Sequence, residues 1–324
     1  MRRAAMRRVE GIDGLSPGLF RRPVATLGVF DGVHRGHRAV LDATAALARE
    51  RGGQVVAVTF DIHPRVLVSG AGPAILTSLP HRLLLLERAG AAATVVLRFD
   101  RDLRERSAES FLEEILVDRV GIAGLVLGPD THFGKDRRGN PDLARRVLEP
   151  RGLPVRAVGR VAGAHGPVSS TAIREALGAG DLDRAAEMLG RPPSLLGTVV
   201  RGEGRGRSLG IPTANLDVAR EMLPPRGVYA GRAADADGSW PGGSPPPCLV
   251  NIGGRPTFHP DGGAADSVEA WIPGFDGDLY GKTLEVSLLA HLREEERFAS
   301  AAELRAQIDR DHVAMVEWMR RSSG

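Results

Sequence analysis

The chain has 324 residues, of which 42% are hydrophobic and 26% charged, and its formal net charge is +3. This length predicts two domains of ordinary size, and the lack of any run of about 18 apolar residues argues against a membrane protein. Acidic residues are interleaved with the many arginines and aromatic residues make up only 4% of the chain, which argues against a nucleic-acid partner.

The opening segment and the cysteine content bear on location. MRRAAMRRVE is basic but no apolar core follows it, so we expect no secretory signal, and Met6 is an alternative start. The single cysteine, Cys248, excludes an internal disulfide and suits a reducing cytoplasm, where we expect the protein.

Strand and helix patterns alternate between about residues 23 and 161. The apolar runs VATLGVF, QVVAVTF, ATVVLRF, GLVLGPD and VRAVGRV predict strands, and a helix is predicted over 38–51, ending at Gly52 and Gly53. This alternation predicts an α/β domain with a parallel sheet and helices on its faces. Two short helices over 169–190 close the domain near Gly190.

The second half has a different pattern. GTVVRG, GVYAGRA, CLVNIGG, SVEAWI and LEVSLLAHL are short strand-like runs divided by Gly, Pro and Asp, and residues 234–248 read as a hairpin loop. Helical spacing returns over 301–319. We therefore expect a mostly β second domain with a terminal helix.

Two histidines, His34 and His37, follow a predicted strand in GVFDGVHRGH, residues 28–37. They could bind a metal, play a structural part or contact phosphate. Zinc enzymes usually place such a pair as H-x-x-x-H with a nearby Glu, which is missing here. A glycine turn leading into a helix instead favours phosphate, because the amides of a helix N-terminus attract anions.

Three further segments are ambiguous when taken alone. Ser169, Ser170 and Thr171 could simply cap a helix, and the glycine-rich turn that follows GTVVRG is weak evidence for phosphate binding. In the segment PTAN, Thr213 and Asn215 fall on the same side of an extended chain, where their oxygens can bind Mg²⁺. Glu269 lies on an alternating strand that could equally place it in solvent.

Taken in order, these motifs resemble a known family. GVFDGVHRGH resembles the HxGH signature of nucleotidyltransferases, in the form carried by prokaryotic bifunctional riboflavin kinase/FAD synthetases, and VSSTAIREAL resembles the SSTxIR element of that family. FDIHPR and GPDTHFGKDRRG, between them, are similar to its FxPHP and GxDFxFG elements. GEGRGRSLGIPTANL, LPPRGVYAG, LVNIGGRPTF and VEAWIPGFDGDLYGKTLEV resemble riboflavin kinase motifs, so the resemblance covers about residues 20–312.

The resemblance implies an architecture and two reactions. Residues 1–190 would form a Rossmann-like nucleotidyltransferase domain that makes FAD from FMN and ATP with release of pyrophosphate. Residues 191–324 would form a small β-barrel riboflavin kinase with a terminal helix, which makes FMN from riboflavin and ATP. ATP with Mg²⁺ would serve both steps, and the partners would be small-molecule substrates only.

The resemblance also implies roles for individual residues. It implies catalytic roles for His34, His37, Arg174 and Glu269, the last as the base on the ribityl 5′-hydroxyl. It implies ATP contacts at Gly28, Phe30, Asp31, Gly36, Ser169, Ser170, Thr171, Gly204, Gly206, Gly210, Thr213 and Asn215, with Thr213 and Asn215 also as metal ligands. It implies flavin contacts at His63, Asp130, Phe133 and Arg255.

Some positions depart from the family pattern. Ile62 replaces a usual proline, Thr131 a usual aromatic residue, and Pro167 an often basic one, whereas Trp271 changes the VEAHILDF form. Two alternatives follow, namely a riboflavin kinase that has lost FAD synthesis and a flavin-binding regulator without turnover. The sequence does not predict the oligomeric state, the relative rates or transfer of FMN between domains.

Overall fold

The computed structural model describes residues 5–70, 72–202, 210–240, 243–254 and 266–322. They form two compact units: the first comprises the described residues up to Ile75 and from Leu79 to Ser170, and the second comprises Leu76–Ser78 and the described residues from Thr171 onward. This grouping by contacts places residues 171–190 with the second unit, so a functional boundary near residue 190 stays a prediction.

The first unit is built on a six-stranded parallel sheet, which confirms the predicted α/β architecture. Its strand order is β1-β4-β3-β2-β5-β6. The strands are Arg7–Glu10 (β1), Pro23–Leu27 (β2), Gln54–Phe60 (β3), Ala93–Leu97 (β4), Gly124–Leu127 (β5) and Val155–Ala157 (β6). The sequence patterns missed β1, because only Val9 of its four residues is buried and the strand shows no apolar run.

Helices cover both faces of this sheet. They are Arg35–Glu50 (α1), Pro64–Ser69 (α2), Leu79–Arg88 (α3), Arg101–Glu105 (α4), Ala108–Ser110 (α5), which continues as a π-helix over Phe111–Val120, and Pro141–Leu148 (α6). Separate apolar clusters fill the two faces, one around Leu112 and Leu125 and one around Leu41 and Leu86. A short hairpin of Ala162–Gly163 (β7) and Gly166–Pro167 (β8) follows.

The strand order creates a switch point between β2 and β5. From β2 the chain adds β3 and β4 on one side, whereas β5 and β6 lie on the other. Connections that leave neighbouring strands in opposite directions open a crevice at the carboxyl ends of those strands, where α/β proteins bind ligands. The segments that follow β2 and β5 therefore border the expected crevice.

The second unit contains a closed six-stranded barrel of order β10-β13-β12-β11-β14-β9, as the resemblance implied. Its strands are Ser194–Val200 (β9), Thr213–Asp217 (β10), Gly227–Asp235 (β11), Pro247–Gly254 (β12), Asp266–Trp271 (β13) and Thr283–Arg293 (β14). Its helices are Ser170–Gly178 (α7), which begins at the last residue of the first unit, Leu182–Leu189 (α8) and Ala301–Ser322 (α9). The predicted hairpin between β11 and β12 and the predicted terminal helix are confirmed.

The terminal helix α9 packs on one side of the barrel. Met315 is buried against Val228 and Leu249, and Trp271 joins the same cluster. Arg293 at the end of β14 pairs with the buried Asp311 of α9 at 2.8 Å. Because side chains alternate along a strand, residues two positions from Leu249 and Trp271 project from this same face.

Candidate active sites

The turn that follows β2 carries an unusual backbone. Phe30 has φ 54°, Gly32 φ 81° and Val33 φ 39°. Positive φ is unfavourable for a bulky or β-branched residue and persists where the surroundings enforce it, commonly at functional sites. The turn brings the chain sharply from the end of β2 to the start of α1.

His34 and His37 lie together at the N-terminus of α1, as predicted. His34 is the N-cap, and its Nδ1 accepts a hydrogen bond of 3.4 Å from the backbone N–H of His37. The two imidazole rings are stacked with centroids 3.7 Å apart, and Phe30 packs edge-on against His37 at 5.2 Å. The two imidazole rings are thus held face to face at the N-terminus of α1, where the helix dipole is positive.

Two glycines allow this packing. A Cβ on Gly36 would lie 3.0 Å from the His34 ring, and one on Gly28 would lie 3.2 Å from the Phe30 ring. Larger residues at either position would push the rings out of place. The glycines of GVFDGVHRGH are therefore needed for close approach as well as for the turn.

These residues line a cleft of about 1240 Å³ that lies within the first unit. It brings together ten of the predicted site residues, namely Gly28, Phe30, His34, Gly36, His37, His63, Asp130, Phe133, Ser169 and Ser170. Asp31 does not line the cleft and is buried. Its backbone carbonyl accepts a hydrogen bond of 2.9 Å from Ser170 Oγ, which ties the first residue of α7 to the histidine turn.

The predicted flavin contacts have different surroundings. His63 caps α2, since its Nδ1 accepts from the N–H of Arg65 at 3.2 Å. Phe133 is mostly buried against Phe111, so only part of it borders the cleft. These two positions therefore also serve the local fold.

Asp130 is exposed and forms an ion pair of 2.7 Å with Arg160, which also lines the cleft. The hydrogen bond from Arg160 raises the pKa of that guanidinium above its ordinary value. The sequence analysis missed Arg160, because neither of the two arginines in VRAVGRV carries a local signal. The pair places a guanidinium and a carboxylate, which balance each other in charge, at the edge of the cleft.

In the second unit, β10 and β13 bring Thr213, Asn215 and Glu269 together. Thr213 Oγ1 donates a hydrogen bond of 3.1 Å to Glu269 Oε2, and Asn215 lies directly opposite Glu269 in the strand register. Asn215 is buried and packs against Gly202, where a Cβ would lie 2.4 Å from its Nδ2. Glu269 is half-buried and hydrogen-bonded, so it is no freely solvated strand residue.

The register adds a residue that the sequence analysis missed. Asn251 of β12 lies opposite Glu269 on the other side of β13, so a row of Asn215, Glu269 and Asn251 crosses three strands. Next to it, Trp271 contacts His312 of α9 edge-on at 5.3 Å. CLVNIGG predicts a strand, but only the pairing shows that its asparagine neighbours the glutamate.

Five predicted residues remain besides Gly210. Gly204, Gly206 and Arg255 lie outside the described residues, whereas Gly210 has φ 70° just before β10. Thr171 and Arg174 lie in the first two turns of α7, in the second unit.

The donor chemistry of the barrel site suits a hard cation. Within the described residues no three His, Cys, Asp or Glu side chains gather into a metal cluster. The hydroxyl of Thr213 and the carboxamide of Asn215 supply oxygen donors, the kind of ligand that a hard cation such as Mg²⁺ prefers. None of the described helices combines the length and apolar character needed to cross a membrane.

Comparison with known proteins gives the class of the molecule. The family model for FAD synthetase matches residues 18–172, and the model for riboflavin kinase matches residues 189–319. Together with the α/β unit and the barrel, these matches define a transferase that joins an FAD synthetase to a riboflavin kinase.

Full-length relatives identify the family. The chain is 40% identical over 316 residues to the bifunctional riboflavin kinase/FMN adenylyltransferase of Pseudomonas fluorescens, covering 95% of this chain and 96% of the relative. It is 35% identical over 314 residues to that of Escherichia coli strain K12, covering 97% and 98%. The chain therefore belongs to the bifunctional riboflavin kinase/FMN adenylyltransferase family, as the sequence motifs predicted.

A solved structure shares the fold. The crystal structure titled macrolide-efflux protein from Streptococcus pneumoniae matches with a TM-score of 0.81 and 26% identity. The match covers 97% of this chain and 100% of that chain.

Proposed function

We propose that the barrel site of this chain phosphorylates riboflavin to FMN and that the cleft of the first unit adenylylates FMN to FAD. The observation that carries this proposal is that the histidine pair and the group of Thr213, Asn215 and Glu269 lie in different units. Among the described residues, those that line the cleft bordered by His34 and His37 belong to the first unit, whereas Thr213, Asn215 and Glu269 come from two strands of the barrel. Each reaction would therefore have its own active site.

In the cleft, the phosphates of ATP would lie against the N-terminus of α1. A phosphate oxygen of FMN attacks the α-phosphorus of ATP, the new P–O bond forms, and the bond to the pyrophosphate oxygen breaks. Negative charge grows on the phosphate oxygens during this step, and imidazole and backbone N–H groups held beforehand stabilise that charge. The stacking of His34 on His37 holds both rings ready for this task.

At the barrel, Glu269 would act as the general base. The riboflavin 5′-hydroxyl loses its proton to the carboxylate as its oxygen attacks the γ-phosphorus of ATP, and ADP leaves. The hydrogen bond from Thr213 holds Oε2, which leaves the other carboxylate oxygen to take the proton. This geometry supports a positioned base.

We propose that Mg²⁺ is bound at the barrel through the oxygens of Thr213 and Asn215. When bound there, the ion neutralises phosphate charge and orients the leaving group. The other partners would be small molecules only, and a cytoplasmic location is proposed because the lone thiol suits a reducing compartment.

One assay tests the proposal. Purified protein is incubated with riboflavin, ATP and Mg²⁺, and the flavins are separated by chromatography over time. We expect FMN to appear first and FAD to follow. FMN without FAD would show a kinase that has lost adenylylation, and bound riboflavin without turnover would show a flavin-binding regulator.

A further inference from the structure

A buried arginine lies behind the histidine turn. Arg82 is only 5% exposed and stands on α3 within the apolar segment LPHRLLLLERAG. An ionised side chain in such a place carries a large desolvation cost, and the Nε of Arg82 makes no hydrogen bond within the described part of the chain. An apolar residue would fill the position at lower cost, so the charge requires an explanation.

The guanidinium joins two strand ends. Its Nη1 donates to the carbonyl of Val29 at 2.6 Å, and its Nη2 donates to the carbonyl of Phe60 at 3.0 Å. Val29 follows β2 and Phe60 ends β3. Both acceptor residues line the cleft, whereas Arg82 does not, so it reaches them from behind.

The tethered carbonyl lies directly before the strained part of the turn. Val29 precedes Phe30, whose positive φ begins the bend that places His34 and His37. The planar guanidinium donates to two carbonyls and so fixes both the distance between them and their orientation, which a single ammonium group cannot do. Without it, the turn can relax and shift both rings.

Two carboxylates lie near the guanidinium of Arg82. Burial lowers the pKa of its guanidinium, and the nearby carboxylates of Asp31 and Asp61 act in the opposite sense. Asp61 is also held in place, since its Oδ1 accepts from the N–H groups of Ile62 and Phe99 at 2.8 and 2.9 Å. The site thus keeps a fixed cation beneath the turn.

From this geometry we infer that Arg82 is a positioning residue for adenylyl transfer, holding the histidine turn in its reactive shape through the Val29 and Phe60 carbonyls. The inference rests on the proposed phosphate site at His34 and His37. If the double variant of those histidines still makes FAD at the parent rate, the phosphate site itself is wrong. The Arg82 variants test the tether separately.

The experiment uses the full chain with Arg82→Met and Arg82→Lys. Met keeps the volume without charge or donors, and Lys keeps the charge but loses the fork. We measure kcat and KM for FAD formation from supplied FMN, and riboflavin phosphorylation by the same preparation. We expect kcat for FAD to fall about 10- to 100-fold in both variants, the cost of a misplacement of about 1 Å, with the KM for FMN and ATP changed much less.

Arg51→Met is the matched control. Arg51 also donates to two backbone carbonyls of the first unit, those of Ala123 at 3.2 Å and Gly152 at 2.8 Å, but it does not line the cleft. We expect both activities of this variant to match the parent. Thermal melting of each variant reports the folded fraction.

Three results would overturn the inference. They are an unchanged kcat for FAD in Arg82→Lys, an equal loss of both activities in the Arg82 variants, and a rise in KM with kcat preserved. The first would show that charge alone suffices, the second that Arg82 is merely structural, and the third that it acts on ground-state binding. Should Arg82→Met fail to fold, Arg82→Lys decides the question.

Discussion

Thr213 of β10 and Glu269 of β13 are diagonal neighbours on adjacent strands, and the Thr213 hydroxyl donates to the Glu269 carboxylate at 3.1 Å. The contact joins a residue of the PTAN segment to one 56 positions later in the chain. A hydroxyl that holds one carboxylate oxygen restricts the rotation of the side chain. The pair is therefore preorganised before any substrate binds.

Glu269→Gln tests the base. Gln keeps the shape and hydrogen bonding of Glu but cannot accept the ribityl proton, so kcat for FMN formation should fall by about 10²- to 10⁴-fold. The KM for riboflavin and for ATP should change much less, because the residue is assigned to chemistry. FAD formation from supplied FMN should persist. A near-parent kcat would require a different base.

Thr213→Val tests the metal and orientation role. Valine has nearly the same shape as threonine without the hydroxyl, so the variant loses both the proposed Mg²⁺ ligand and the hydrogen bond to Glu269. We expect a higher Mg²⁺ or ATP concentration for half-maximal FMN formation. Thr213→Ser retains the hydroxyl and should restore the parent requirement. Identical Mg²⁺ curves for the Val and Ser variants would contradict this role.

The double variant His34→Ala, His37→Ala tests the division of labour. It removes two donors at the developing charge, so FAD formation should fall by about 10²-fold or more. FMN formation should stay close to normal, because the barrel site is built from other residues. His165→Ala, on an exposed residue outside the cleft lining, is the control. Comparable losses of both products would exclude separate sites.

Cys248 should be inert in the folded protein. It is fully buried on β12, and burial raises the pKa of its thiol from 9.0 to about 12. Iodoacetamide reacts with the thiolate, so mass spectrometry should detect no alkylation at pH 8 until the protein is denatured. Stoichiometric labelling of the native protein would contradict the buried position.

The raised pKa of the Cys248 thiol also predicts that the stability of the fold depends on pH. The unfolded thiol loses its proton near pH 9, whereas the folded one keeps it to about pH 12. The unfolded state therefore binds fewer protons between these values, and this contribution to stability is present below pH 9 and is lost as the pH rises. From pH 8 to 10 the parent should lose about 1 kcal/mol more than Cys248→Ala, measured by denaturant unfolding. An equal loss of unfolding free energy in the parent and in Cys248→Ala would contradict the raised pKa of the thiol.

The second unit should fold as a fragment beginning at residue 171. Leu182, Met188 and Leu189 of α8 are buried, and α8 packs on β14 of the barrel. A fragment from residue 171 to 324 should therefore melt about 5 °C or more above one beginning at residue 191, and it should make FMN from riboflavin. Equal melting temperatures would show that α7 and α8 add nothing to the barrel.

Local patterns in the sequence predict most of the elements. The alternation of apolar runs and helical spacing predicts the parallel sheet. It can do so because the hydrophobic periods of a strand and of a helix each depend only on the backbone geometry of that segment. The histidines at a helix N-terminus and the same-side placement of Thr213 and Asn215 are predictable for the same reason. Strand β1 is not, since its pairing with β4 depends on residues more than 80 positions away.

Which residues meet is decided by tertiary structure. The sequence alone determined the family, and it predicted two functional halves and the residue types at each site. Only the strand register placed Asn251 beside Glu269, and only packing brought Arg82 to the Val29 and Phe60 carbonyls and Arg160 to Asp130. These contacts join distant segments, and their energy comes from burial and directed hydrogen bonds that exist only once the sheet and the barrel have formed.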